Sequence, residues 1–550
     1  MSSSTQTALY NYDILAYIFN AFESRSRGSG RKALAACTLV CQMWSDSASQ
    51  VLWRKLDSLH PLWALLAGRY FPPSAKRLTE FWTIVEPDEF VKEIVAKEPD
   101  LWKRFLKRAS HIHEIGTASY GEAELALIRA IVHHNGGATF LPSLNILAWR
   151  HAITTDMTLL MVVSPSLQSL ELSTARSIPR PNGMLPPPND YTPSEPLFVG
   201  LPAAAPYLRR LVISGRQLPS TIVYPHIVGF TRLRELNLYN DLCAVRPADL
   251  CLILEAFPDL ELLSTQVKDF SNPARAASST SLRELRLNGT PADLAGLLSP
   301  SGLDAPFLAS LSLNIDGVAY TASHQHCLEA LSLANFAPTL RTLVLATVVR
   351  DEPVPTDVSL EHYTTLVGPL MRLAHLEDVE LRILNTWLNL ADEDVLAIAR
   401  AWRRLQRLIL SYIPTDSVPD MTVLRHFAAH CPDLRELVLT KVRIPPALDV
   451  PAPAIAETVN SARSAAKTAT AGPEKGTGMH PLRKLDLRLT FATRDPINTL
   501  EVARFIDALF PRLEVAATRS GRITVFTAAW EKIEAEIRRM RTRRSLDMQM

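Results

Sequence analysis

The sequence predicts an α/β chain in which a short N-terminal helical domain precedes an irregular solenoid, with parallel strands along the concave side and helices along the convex side. Three observations predict it. The chain has 550 residues, too many for one ordinary core. The frame LxxLxL recurs through most of it. Many copies follow a proline-marked turn and an apolar helical stretch, so the unit reads helix, turn, strand.

The copies are LQSLEL (167–172), LRRLVI (208–213), LRELNL (233–238), LRELRL (282–287), LASLSL (308–313), LRTLVL (340–345), LEDVEL (376–381), LQRLIL (405–410), LRELVL (434–439) and LRKLDL (482–487). Weaker copies begin at Leu144, Leu260 and Leu513. In each copy the last two apolar residues are two apart and share one strand face, while the residue between them points the other way. CLILEAFPDL, LRHFAAHCPDL and VARFIDALFPRL supply the preceding helix and turn. One such unit cannot cover its own apolar face, but stacked neighbours can. The copies resemble leucine-rich repeats, so residues 140–526 are expected to form a leucine-rich-repeat solenoid. Two proline-rich or small-residue segments, about 176–206 and 445–480, are expected to loop out of it. The last segment, 527–550, reads as a helix with Trp530, Ile533, Ile537 and Met540 on one stripe and a basic tip at Arg538, Arg539, Arg541, Arg543 and Arg544. It is expected to cap the last repeat.

Composition excludes several classes. Lys+Arg 58 against Asp+Glu 56 leaves +2, which offers no general attraction to nucleic acid or a membrane surface. Cys37, Cys41, Cys243, Cys251, Cys327 and Cys431 form neither a CxxC pair nor a disulfide scaffold, which fits a reducing compartment. The start has no secretory pattern, and no apolar run approaches the roughly 20 residues of a membrane span. A cytoplasmic or nuclear location is expected. Asn288-Gly289-Thr290 reads as a turn after a strand.

Before the repeats, residues 11–22 place Ile14, Leu15, Ile18, Phe19 and Phe22 on a broad apolar helix face. A glycine-serine break follows. Residues 31–49 repeat the design with Leu34, Cys37, Cys41 and Trp44, and the next turns add Val51, Leu52, Trp53 and Leu56. Helices this short hide only part of such a surface among themselves. Ile18-Phe19, then Val40-Cys41 with Trp44, then Leu52-Trp53, in that order and at that spacing, make residues 8–60 resemble an F-box. The helical linker 61–139 and the repeats beyond it extend the resemblance to fungal F-box proteins with irregular leucine-rich repeats. That resemblance implies a substrate-recognition subunit of an SCF-type ubiquitin ligase, docked on a Skp-family adaptor and through it on a cullin, with a protein substrate on the repeats and no partner copy of itself. The expected adaptor contacts are Ile14, Leu15, Ile18, Phe19, Leu39, Val40, Trp44, Val51, Leu52 and Trp53. The alternative is a repeat scaffold or inhibitor whose helices only cap the solenoid.

Residues alternating with the leucines should line the inner curve, where a protein substrate would touch Glu171, Asn237, Tyr239, Arg286, Asn288, Glu380, Arg382, Arg407, Asp486 and Arg488. No GxSxG, HExxH or P-loop occurs, and no nucleophile and base share a usable spacing, so no catalysis and no cofactor are expected. His111 and His113, His133-His134, and His324 with His326 lack zinc-site spacing and read as surface histidines. No metal is expected.

Overall fold

Leucine alternation becomes strand, as the frame requires. The computed structural model describes residues 11–23, 29–70, 85–119, 121–151, 157–174, 195–214, 220–239, 244–271, 275–316, 321–348, 361–414, 417–445, 480–491, 498–514 and 525–547. The insertions expected at 176–206 and 445–480 lie largely outside these residues. Contacts divide the chain into two units, residues 1–244 with 255–266, and 245–254 with 267–550.

The first unit opens with three helices, α1 (Tyr12–Glu23), α2 (Ser29–Cys37) and α3 (Gln42–Arg54). The Asn11 side chain accepts from the N–H groups of Asp13 (2.9 Å) and Ile14 (3.3 Å), satisfying donors that the first turn of α1 leaves free. The helices share a core of Leu15, Phe19, Leu34, Ala48 and Val51, with Phe22, Cys37, Trp44 and Leu52 around it. The expected helix over 31–49 is broken. β-Branched Thr38 and Val40 favour extended backbone, the Thr38 hydroxyl donates to the Ala35 carbonyl at 2.7 Å, and Cys41 is extended at φ −160°. Cys41 is therefore exposed at the start of α3 and does not share the inner side with Leu34.

Helix α3 runs directly into β1 (Lys55–Leu56), which pairs in parallel with β2 (Glu114–Ser119). The sheet thus begins well before residue 140, where the sequence frame placed it. Between β1 and β2 lie α4 (His60–Ala67), α5 (Pro87–Lys97) and α6 (Pro99–Ala109). Trp63, Phe105 and Phe140 form the first core layer, with ring centroids 6.0 Å apart for Trp63 and Phe140 and 6.2 Å for Phe105 and Phe140. The helix α7 (Glu122–His134) leads to β3 (Ile146–His151). α8 (Thr158–Val162), β4 (Ser169–Thr174), α9 (Glu195–Ala204), β5 (Arg210–Ser214), α10 (Ser220–Ile227) and β6 (Glu235–Tyr239) follow. The last strand of this unit is β7 (Leu262–Gln266); α11 (Pro247–Ala256), which precedes it in sequence, belongs mostly to the second unit. All seven strands are parallel and adjacent in chain order.

The second unit repeats the design. β8 (Ala277–Ser278) and β10 (Leu303–Asp304) form a separate two-stranded ladder around β9 (Glu284–Gly289) and α12 (Pro291–Leu298) in sequence. β11 (Ser310–Asp316), α13 (Thr321–Leu333), β12 (Thr342–Val348), β13 (Glu361–His362), α14 (Tyr363–Val367), β14 (Asp378–Asn389) and α15 (Asp392–Ala401) follow. The last elements are β15 (Arg407–Pro414), α16 (Leu424–His430), β16 (Glu436–Ile444), β17 (Lys484–Phe491), α17 (Thr499–Leu509) and α18 (Val525–Asp547). β9, β11, β12, β14, β15, β16 and β17 are parallel neighbours, and the frame leucines from Leu285 to Leu487 are buried.

A main-chain spine stacks the repeats within each unit. The carbonyl just before one strand accepts two N–H groups from the next repeat, as Arg209 does from Arg234 (2.8 Å) and Glu235 (2.9 Å), and Glu377 from Gln406 (2.6 Å) and Arg407 (3.1 Å). Both lone pairs of the acceptor are used, so each step is satisfied within the main chain. The weak copy at Leu513 continues it, with the Glu514 N–H donating to Arg483 at 2.7 Å.

α18 packs against α17 and β17. Trp530, Ile533 and Ile537 are buried. Its basic tip is partly used: Arg541 Nε donates to Asp507 Oδ1 at 2.7 Å, and Arg544 Nη1 lies 2.8 Å from Asp507 Oδ2. Arg541 also donates to the Leu513 and Phe510 carbonyls, closing the C-terminus of α17.

Candidate functional site

Two surfaces were expected to carry function, the front helices and the strand face. On the helices, the expected contacts split into three sets. Leu15, Phe19 and Val51 are sealed in the bundle core, so no partner can touch them; they are corrected to scaffold residues. Trp44 is half-buried, packed edge-on against Phe19 with ring centroids 5.6 Å apart, and Leu52 and Trp53 are also half-buried. Ile14, Ile18, Leu39 and Val40 are exposed, Leu39 at 87% and Val40 at 61%. Tyr17, 80% exposed, and Met43 extend the two groups and were not anticipated. Ile14, Tyr17 and Ile18 are one helical face by their spacing, Leu39 and Val40 occupy the turn before α3, and Met43 is in the first turn of α3.

The bundle also caps the first repeat. Lys107 Nζ reaches Asp46 at 2.9 Å, Lys55 pairs with Glu114, and the His113 N–H donates to the Arg54 carbonyl at 2.9 Å. These contacts use Asp46 and the C-terminal end of α3 with its continuation into β1, and among the described residues they leave Ile14, Tyr17, Ile18, Leu39 and Val40 exposed.

On the strand face of the first unit, Ala148, Glu171, Val212, Asn237 and Ser264 stand in register. Asn237 Oδ1 is buried and makes no hydrogen bond. In the second unit the matching row runs Arg286, Ser312, Val344, Glu380, Ile409, Val438 and Asp486. Within each unit these positions are in strand register. The side chains of Tyr239 and Arg488 lie outside the described residues.

Several charged residues on and beside the second row are paired with one another. Arg407 donates to Asp378 Oδ1 and to Glu380 Oε2, both at 3.0 Å, and its Nε lies 3.5 Å from Glu436. Arg382 also pairs with Glu380, and Lys484 with Glu436. Glu380 is buried, so this network substitutes for water around its carboxylate. Burial alone would lower the Arg407 pKa, but the Asp378 and Glu380 carboxylates outweigh it and raise it above the usual value. Arg286 is paired with Glu284, and Asn288 accepts from Asn314 at 2.7 Å. Asp378, Glu436 and Lys484 were missed, although they fall at the third position of successive frames, where the aligned copies alternate in charge.

The histidines divide differently from expectation. His324 is buried, because its segment forms the inner face of α13 beside buried Cys327 and Leu328. His111 is half-buried, and burial followed by the nearby Arg108 and Lys107 charges lowers its pKa. No helix among the described residues is long and apolar enough to cross a membrane.

Parallel strands in frame register, with helices between them in sequence, give each unit a leucine-rich-repeat fold. No protein-family model matches the chain, and no curated protein matches it. Among solved structures, an internalin from Listeria monocytogenes is 15% identical, over 60% of this chain and 80% of the internalin, with a TM-score of 0.31. Rad7 in its yeast complex with Elc1 is 14% identical, over 73% of this chain and 90% of that one, also with a TM-score of 0.31.

Proposed function

We propose that this chain is a substrate-recognition subunit of an SCF-type ubiquitin ligase, in which α1 to α3 act as an F-box. The F-box docks on a Skp-family adaptor, the adaptor links it to a cullin, and the strand face holds a protein substrate. One observation carries the reading: Ile14, Tyr17, Ile18, Leu39, Val40 and Met43 are exposed on a helical bundle that has already formed its own core. A cap needs no such surface, whereas a partner helix gains by covering it. Catalysis by this chain is not required, since the subunit contributes proximity while a conjugating enzyme carries the chemistry. Cytoplasmic and nuclear assembly are both compatible with the reading.

The charges of the Glu380 network answer one another, so substrate contacts are better sought among the uncharged positions that flank Glu380 in the same row. The row from Ser312 and Val344 to Ile409 and Val438 offers uncommitted apolar and hydroxyl groups. Co-purification of the full chain with a Skp-type adaptor tests the proposal. The wild-type chain retains the adaptor, and Ile18→Asp with Leu39→Asp loses it. A wild-type chain that fails to retain the adaptor refutes the ligase reading and leaves the capping scaffold.

A further inference from the structure

Within the first unit, Asp88 and the adjacent pair His133 and His134, from two helices separated in sequence, converge at one point. Asp88 stands in the first turn of α5, and His133 and His134 are the last two residues of α7. One ligand atom from each lies within 4.8 Å of the other two. His134 Nε2 is 3.2 Å from Asp88 Oδ1, and the two imidazoles meet edge to face with centroids 5.0 Å apart.

Three features make this more than a chance cluster. His134 Nε2 is buried and makes no hydrogen bond, although the Asp88 carboxylate is at ion-pair distance. A buried ring nitrogen without a directed partner is costly, and a metal ion would use its lone pair. The C-terminus of α7 is also fixed: the Gly137 N–H donates to the Val132 carbonyl at 2.9 Å, and Gly136 and Gly137 take φ of 69° and 80°. These left-handed values favour glycine and turn the chain sharply away from the two histidines. Finally, the carbonyl end of a helix carries partial negative charge, which favours a cation there.

We infer that Asp88, His133 and His134 form a divalent transition-metal site, with zinc the best-suited ion. Two imidazoles and one carboxylate are borderline ligands of the type zinc accepts, and three protein ligands leave a fourth position for water or a partner's side chain. Tetrahedral bonds of about 2.0–2.2 Å bring ligand atoms to roughly 3.4 Å from one another. The observed spread is within reach of side-chain rotation, because His133 and Asp88 are exposed. The ion would tie the start of α5 to the end of α7, behind the first strands.

The test uses the untagged, metal-stripped full-length chain, titrated with zinc by calorimetry and with cobalt by visible absorption. One equivalent binds saturably and raises the melting temperature. Asp88→Asn and His134→Gln each weaken binding by about 100-fold or more and abolish the thermal shift, since even residues behind the ligands of known sites cost 10–100-fold. His133→Gln, on an exposed side chain, keeps the test valid if the His134 variant fails to fold. Absence of saturable binding overturns the inference. So does binding that Asp88→Asn and His133→Gln leave within about threefold of wild type, which would place the ion elsewhere.

Discussion

Replacing Asp507 should release the C-terminal helix. Its carboxylate is 1% exposed and faces two guanidinium groups, Arg541 at 2.7 Å and Arg544 at 2.8 Å. A charge-assisted hydrogen bond contributes about 1.5–3 kcal/mol. Arg544 is 61% exposed, so its pair is worth at most about 1 kcal/mol. Asparagine keeps one acceptor for Arg541, which leaves a loss of about 2 kcal/mol for Asp507→Asn and about 3 kcal/mol for Asp507→Ala. A long repeat array does not unfold in one step, so the effect is read locally by hydrogen exchange. Exchange in α17 and α18 should accelerate roughly 30-fold in Asp507→Asn, because 1.4 kcal/mol corresponds to a factor of ten. Arg539→Ala, which removes only a surface pair with Glu536, should leave both helices unchanged. Unchanged exchange in Asp507→Asn would show that the burial of Trp530, Ile533 and Ile537 alone holds α18.

Other consequences are separable. Leu15→Ala and Phe19→Ala should destabilise the front bundle by about 2–5 kcal/mol, measured by exchange in α1 and α3, whereas Leu39→Asp should leave the bundle's exchange unaltered. Glu380→Gln should loosen β14 and β15 and expose the Arg407 contacts, with faster exchange at residues 407–410 and not in β9. Gly296→Ala should destabilise the second unit by about 1–3 kcal/mol, because an added Cβ would come within 1.9 Å of the Phe270 carbonyl oxygen, checked by thermal melting. His426 and His430 have pKa values lowered by burial first and by Arg400 among the neighbouring charges, so each is neutral in the fold when its unfolded form is protonated. Their contribution is present above about pH 6.5 and is lost as pH falls through the lowered folded values. The drop in melting temperature between neutral and mildly acidic buffer should shrink in the double variant His426→Gln, His430→Gln.

Most strands could be read from the repeat frame because a period of two, anchored by leucines, leaves one solution for each copy. Even the register followed, since stacking like positions puts Arg286 beside Ser312 and Glu380 beside Ile409. The first strands escaped for the opposite reason. EIGTAS holds one large aliphatic residue, Ile115, and β1 is only Lys55–Leu56, so neither carries the frame. Their pairing comes from α3 delivering the chain to the sheet edge. At the front helices, an apolar face too broad for one neighbour was legible, but which part turns inward was not. Leu15 and Ile18 are three residues apart on that face, yet the first is sealed and the second exposed, because the choice depends on where α2 and α3 cross. The ion network on β14 to β17 and the Asp88, His133 and His134 cluster depend on distant segments meeting, which spacing along the chain does not encode.

A calorimetric titration of the full chain with a purified Skp-type adaptor addresses the ligase reading directly. Saturable one-to-one binding with a negative heat-capacity change, lost on Ile18→Asp with Leu39→Asp while α1 to α3 stay folded, is the predicted result. No heat of binding to the wild-type chain, or equal affinity in the double variant, would contradict it.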